Sequence, residues 1–109
     1  SKDYVVFEAE NGKQGLDKAL AEMPDIVISD IMMPEMDGIE FLKRVKANSN
    51  ICHIPVILLS AKSSLSDQIQ GLEYGADDYI AKPFNSAYLK ARIESLIKQR
   101  SSLNTRLKY

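Results

Sequence analysis

The chain has 109 residues, 45% of them apolar and 27% charged, with a net charge of −1; this is the balance of one globular domain or part of one, and it excludes a surface basic enough to recruit nucleic acid or an acidic membrane as a whole. The single cysteine, Cys52, rules out an internal disulfide and points to a reducing, cytoplasmic setting. No apolar stretch approaches the length of a membrane span and Ser1-Lys2-Asp3 lacks the pattern of a signal peptide, so membrane insertion is not expected.

In chain order, the first strand pattern is Tyr4–Ala9, YVVFEA. Asn11 then caps a helix carrying Leu16, Leu20 and Met23. Ile26–Ser29, IVIS, is a continuous apolar run, as a strand covered on both faces requires. Asp37 and Glu40 form an acidic version of the capping box ahead of Ile39, Leu42 and Val45. Val56–Ser60, VILLS, is a second continuous apolar strand. Ser64 can cap a third helix with Leu65, Ile69 and Leu72, and Gly75 stands where a C-terminal cap belongs. Tyr79–Ala81 is a short fourth strand, and Asn85 or Ser86 opens a last helix with Leu89, Ile93, Leu96 and Ile97 on one face. Four strand–helix repeats argue for a parallel α/β sheet with helices on both faces. The tail after residue 100 keeps its 4–3 spacing through Leu103 and Leu107, with Arg100 in the intervening slot. It reads either as a frayed tail or as a helix leaving the domain toward a partner helix.

In such a sheet, functional groups collect at the carboxyl ends of the strands. Asp30, Ser60 and Lys82 each stand at one of those ends. Singly, each has a bland reading: a turn aspartate, a satisfied serine, a solvated lysine. Together, a carboxylate, a hydroxyl and an ammonium suit phosphoryl chemistry. The carboxylate can attack phosphorus, and the other two can hold the phosphoryl oxygens. A divalent cation would complete the set by neutralising charge during transfer. Pro34 and Gly38 shape the loop that follows Asp30, and the small Ala61 leaves room beside Ser60. Met32 and Lys62 flank the same pocket. His53, the one histidine, precedes Ile54-Pro55 at the opposite end of a strand and reads as a loop residue.

The stretches PDIVISDIMMPEMDGIEFLKRVK, IPVILLSAKSS and GLEYGADDYIAKPF resemble the receiver domains of two-component response regulators, over roughly residues 5–97. The resemblance implies a flavodoxin-like, doubly wound parallel sheet and a module that accepts a phosphoryl group. By it, Asp30 matches the aspartate phosphorylated from a histidine kinase or phosphotransfer domain. Met32 matches the position whose backbone carbonyl joins Asp30 in binding Mg²⁺, and Ser60 and Lys82 match the residues that hold the phosphoryl group. Tyr79 matches an aromatic that moves with the Ser60 loop, and Pro83 a proline that follows a cis peptide. It also implies an output domain, DNA-binding in some relatives, beyond an exit helix or linker at 101–109; residues 1–100 are the receiver portion.

The match departs from the family at its start. Receivers begin with a central strand ending in two acidic residues that bind Mg²⁺, whereas Tyr4–Ala9 matches the family's second strand. The chain therefore reads as N-terminally truncated, with the central first strand absent. The expected consequences are weak or absent Mg²⁺ binding and a gap between Tyr4–Ala9 and Ile26–Ser29, covered by self-association in preference to closing within the chain. A degenerate receiver acting only as a protein-interaction domain is the alternative. Enzymes that use a strand-end aspartate typically carry D-x-D, and Ile31-Met32 after Asp30 does not supply it.

Overall fold

The computed structural model describes residues 5–32, 36–60 and 65–107, the side chains of residue 67 and of residues 100–107 excepted. The expectations for Tyr4, Pro34, Ala61, Lys62 and Ser64, and for the side chains of Leu103 and Leu107, lie outside the described residues. The order of elements is β1 (Val6–Ala9), α1 (Gly12–Glu22), β2 (Ile26–Asp30), α2 (Gly38–Ala47), β3 (Val56–Ser60), α3 (Leu65–Glu73), β4 (Asp78–Ala81) and α4 (Ser86–Leu107).

The strands form one parallel sheet in the order β1-β2-β3-β4. The expected gap is therefore not present. β1 pairs directly with β2, with Val6 opposite Ile26 and Ala9 opposite Ser29. Of the two ways to satisfy strand edges facing an opening, the chain takes the internal one: pairing gives both backbones hydrogen-bond partners without a second molecule.

Each strand steps to its neighbour through a helix, and same-handed crossovers in one direction put α1, α2 and α3 on one face. That face buries Val27, Ile31, Phe41, Leu42, Val45, Val56 and Leu58. The α4 side buries Ile26, Ile28, Ile57, Leu59 and Ile80 against Ile93 and Leu96. Alternate residues of β2 and β3 thus go to opposite cores, which is why both strands are apolar at nearly every position.

Local signals behave as their chemistry requires. The Asn11 side chain accepts from the backbone N–H of Lys13 at 2.9 Å and Gln14 at 3.2 Å. Asp37 accepts from Glu40 N–H at 2.9 Å, but the Glu40 carboxylate turns to Arg44 Nε at 3.0 Å in place of closing the capping box. Asn85, not Ser86, caps α4, accepting from Ala87 and Tyr88. Gly75 ends α3 with φ at 101°, where only glycine is unstrained.

Two helix faces differ from expectation. α1 buries Gly12, Gly15 and Ala19, while Leu20 and Met23 are exposed. The cause is close approach: a Cβ on Gly15 would lie 3.0 Å from the Ala9 side chain and 3.3 Å from the Phe41 ring, so the small residues turn inward. In α3, Leu65, Ile69 and Leu72 are all exposed, and the contact with the sheet runs through Gly71, close to Leu58 and Tyr79. α4 is one helix to Leu107.

Candidate functional site

Asp30 is the last residue of β2, and alternation from Ile26 and Ile28 puts it on the α4 side of the sheet. Lys82 follows β4 with the same parity as Ile80. The two strands are not neighbours, since β3 lies between them. A lysine is long enough to cross that interval, and its Nζ lies 2.6 Å from Asp30 Oδ1. Both side chains keep more than a third of their surface in contact with solvent, so the pair is open to an incoming group.

Ser60 ends β3 between them and is buried. Its carbonyl accepts from Lys82 N–H at 2.7 Å, tying the base of the lysine to the serine's own strand. By alternation from Leu58, the Ser60 side chain shares the α1–α3 face with Tyr79, two residues before Ala81, its partner in the ladder. Tyr79 packs on that core. Its hydroxyl is buried and, among the described residues, has no hydrogen-bond partner.

The backbone after Asp30 is held tightly. Gly38 N–H donates to Ile31 O at 2.7 Å, and a Cβ on Gly38 would sit 2.4 Å from Asp30 O. Only a glycine lets the start of α2 lie on the Asp30–Ile31 peptide. Lys82–Pro83 is a cis peptide. Met32 is exposed at the site's rim. His53 is exposed, in the α2–β3 loop at the other end of the sheet.

Magnesium keeps several waters in near-octahedral geometry and is held by one or two carboxylates. The residues that would hold it here are Asp30, whose carboxylate lies against the Lys82 ammonium, and Met32 through its backbone carbonyl; the described residues gather no group of three His, Cys, Asp or Glu side chains.

Two features had no signal in the sequence. One is Gly12, whose Cβ would fall 2.3 Å from Met36 O, so α1 starts against the loop that follows Asp30. The other is the Tyr79 hydroxyl, buried with no hydrogen-bond partner among the described residues.

Comparison with known proteins gives one consistent result. The family model described as the response regulator receiver domain matches residues 1–94. Histidine kinase P4 of Formosa agariphila is 44% identical over 104 residues, covering 95% of this chain and 8% of that protein. Response regulator ArlR of Staphylococcus saprophyticus is 38% identical over 103 residues, covering 94% of this chain and 46% of the other. The chain thus spans less than half the length of either curated relative. The signal receiver domain of a signal transduction histidine kinase from Syntrophus aciditrophicus superposes with a TM-score of 0.75 at 36% identity, over 84% of this chain and 69% of that one.

Proposed function

The chain belongs to the response regulator receiver domain family, and from that premise we propose that Asp30 is its phosphoacceptor and that Lys82 and Ser60 hold the transferred group. The observation that carries this reading is the 2.6 Å contact between Lys82 Nζ and Asp30 Oδ1 at the strand-end edge where Ser60 also stands. An Asp30 oxygen forms a bond to phosphorus while the bond from phosphorus to the donor's imidazole nitrogen breaks. The product is an acyl phosphate, and the electron pair stays with the imidazole. Lys82 donates to the phosphoryl oxygens, and the Ser60 hydroxyl, which starts on the opposite sheet face, turns toward them to supply a neutral donor.

Receiver domains generally bind Mg²⁺ at the phosphorylation site. No step here is assigned to a metal; Asp30 and the Met32 carbonyl are the groups that would hold one, and it would neutralise charge during transfer. The donor is a histidine kinase or phosphotransfer domain. The output is a further domain, DNA-binding in the proposed case, reached through the end of α4 at residues 101–107. The setting is cytoplasmic; no helix among the described residues is long and apolar enough to cross a membrane.

Signalling requires an element with two arrangements and a ligand that prefers one. Tyr79 is that element. Its hydroxyl is buried without a hydrogen-bond partner among the described residues, an arrangement that costs about 1–3 kcal/mol. Ser60, on the same face, is the residue that would move when a phosphoryl group arrives.

Intact-mass measurement with acetyl phosphate tests the assignment. Wild type gains one phosphoryl group and Asp30→Asn gains none. An equal gain in both proteins overturns Asp30 as the acceptor, and no gain in either favours a receiver that acts only through protein contacts.

A further inference from the structure

We propose that the outer edge of β1 is a contact between two copies of this chain: it pairs antiparallel with β1 of a second copy, about a two-fold axis at Phe7, and joins the two sheets into one. The inference does not depend on the phosphoacceptor reading. It concerns the side of β1 that faces away from β2, which the β1–β2 pairing leaves unused.

The ladder fixes which groups are free. Ile26 N–H donates to Val5 O at 3.4 Å, and Val5 N–H donates to the Asp25 carboxylate at 2.7 Å. Alternation along the strand therefore turns the backbone groups of Val5, Phe7 and Ala9 toward β2 and those of Val6 and Glu8 away from it. Among the described residues, nothing meets the N–H and C=O of Val6 and Glu8. Val5 and Val6 are also 53% and 40% exposed. Strand edges are commonly blunted by a charge, a proline or a covering element. β4, the other edge, has such devices: Tyr79 N–H donates to the Asp78 carboxylate at 2.8 Å, and Pro83 follows the strand. β1 has no proline, and no described side chain takes its outward N–H groups.

Self-complementarity selects a second copy as the occupant. An axis at Phe7 sets Val6 of each copy opposite Glu8 of the other. Both residues direct their backbone groups outward, so each of these pairs exchanges both of its N–H···O bonds. An axis at Glu8 would instead set two carboxylates against each other, and an axis at Val6 would leave a single exchanging pair within β1. α1 does not block the approach. Between it and β1 lies a cleft of about 220 Å³ bordered by Phe7, Gln14, Gly15 and Lys18, on the face where the other copy's Phe7 ring would lie.

Sedimentation of the unphosphorylated chain over roughly 10 μM to 1 mM, the range of weak contacts, tests this. Wild type is expected to form a dimer and nothing larger, because the pairing closes on itself. Val6→Pro suits an edge strand and removes an N–H that makes no bond within the chain, yet it takes one hydrogen bond from each of the two pairs. It should weaken the dimer at least about tenfold, with an unchanged circular dichroism spectrum. Phe7→Cys in a Cys52→Ser background reports the register. Residues in a non-hydrogen-bonded pair lie about 4.5 Å apart at Cα, close enough for a disulfide, so mild oxidation should link two copies. Leu20→Cys, at an exposed position on α1, should not link in the same background. The cross-link decides the matter if Val6→Pro fails to fold. A wild type that stays monomeric overturns the proposal and leaves the edge to an extended segment of another protein. A dimer that a folded Val6→Pro does not weaken, or that Phe7→Cys links no better than Leu20→Cys, overturns it too.

Discussion

Lys82 Nζ reaches past the end of an intervening strand to lie 2.6 Å from Asp30 Oδ1. A contact between strands that do not pair has a purpose other than holding the sheet together. Both groups are more than a third exposed, so solvent screening leaves the pair worth only about 0–1 kcal/mol. Lys82→Met should therefore change urea stability by less than about 1 kcal/mol. It should slow phosphorylation by acetyl phosphate by about 100-fold, the usual loss when one donor to a developing charge is removed. A large stability loss with little change in rate would contradict the assignment.

Ser60 and Tyr79 share a sheet face on neighbouring strands. Phosphorylation of wild type should shift the NMR resonances of Tyr79 and of residues around Gly71, which packs beside it. In Ser60→Ala the shifts at Tyr79 should largely vanish while the phosphoryl group still arrives. Unchanged shifts would break the proposed coupling.

Tyr79→Phe removes a buried hydroxyl without a partner among the described residues. The ring and its packing stay. Stability should rise by up to about 1 kcal/mol, or at least not fall, because an unmet desolvation penalty is removed. Thermal or urea unfolding reads this directly; a loss of more than about 1 kcal/mol would mean that the hydroxyl is satisfied.

Gly38→Ala sets two effects against each other. Alanine favours a helix by up to about 1 kcal/mol over glycine. The added Cβ, however, would meet Asp30 O at 2.4 Å and Ile31 Cα at 2.8 Å, both backbone atoms that cannot swing aside. The clash should win, with a net loss of about 1–3 kcal/mol in chemical denaturation.

Asp77 braces the opposite end of β3. Its Oδ2 accepts from Val56 N–H at 2.8 Å and lies 3.6 Å from Lys46 Nζ, which also donates to Cys52 O and Ile54 O. Asp77→Ala leaves a strand N–H and an ammonium without this acceptor and should cost about 1–3 kcal/mol. Asp77→Asn keeps a carbonyl oxygen for Val56 and should cost less. Equal losses in the two variants would locate the stabilisation in the charge alone.

Features that depend on near neighbours along the chain can be read without the fold. Asn11 and Asp37 cap because a short polar side chain before a helix meets the first free N–H groups, whatever the rest of the chain does. The parallel sheet followed from unbroken apolar runs such as Val56–Ser60, which only a strand buried on both faces needs. Asp30, Ser60 and Lys82 fall on one edge of the sheet because each stands at a parallel strand's carboxyl end, and the structure brings Lys82 into contact with Asp30. Tertiary structure decided what depends on distance across the fold. It closed β1 onto β2, since two backbones with unmet hydrogen bonds pair more readily with each other than wait for a second molecule. It turned Gly15 and Ala19 inward in place of Leu20 and Met23, since α1 lies too close to Ala9 and Phe41 for large side chains. It also brought one lysine over β3 to Asp30, a contact that spacing along the chain cannot specify because it is set by sheet order and by the reach of a single side chain.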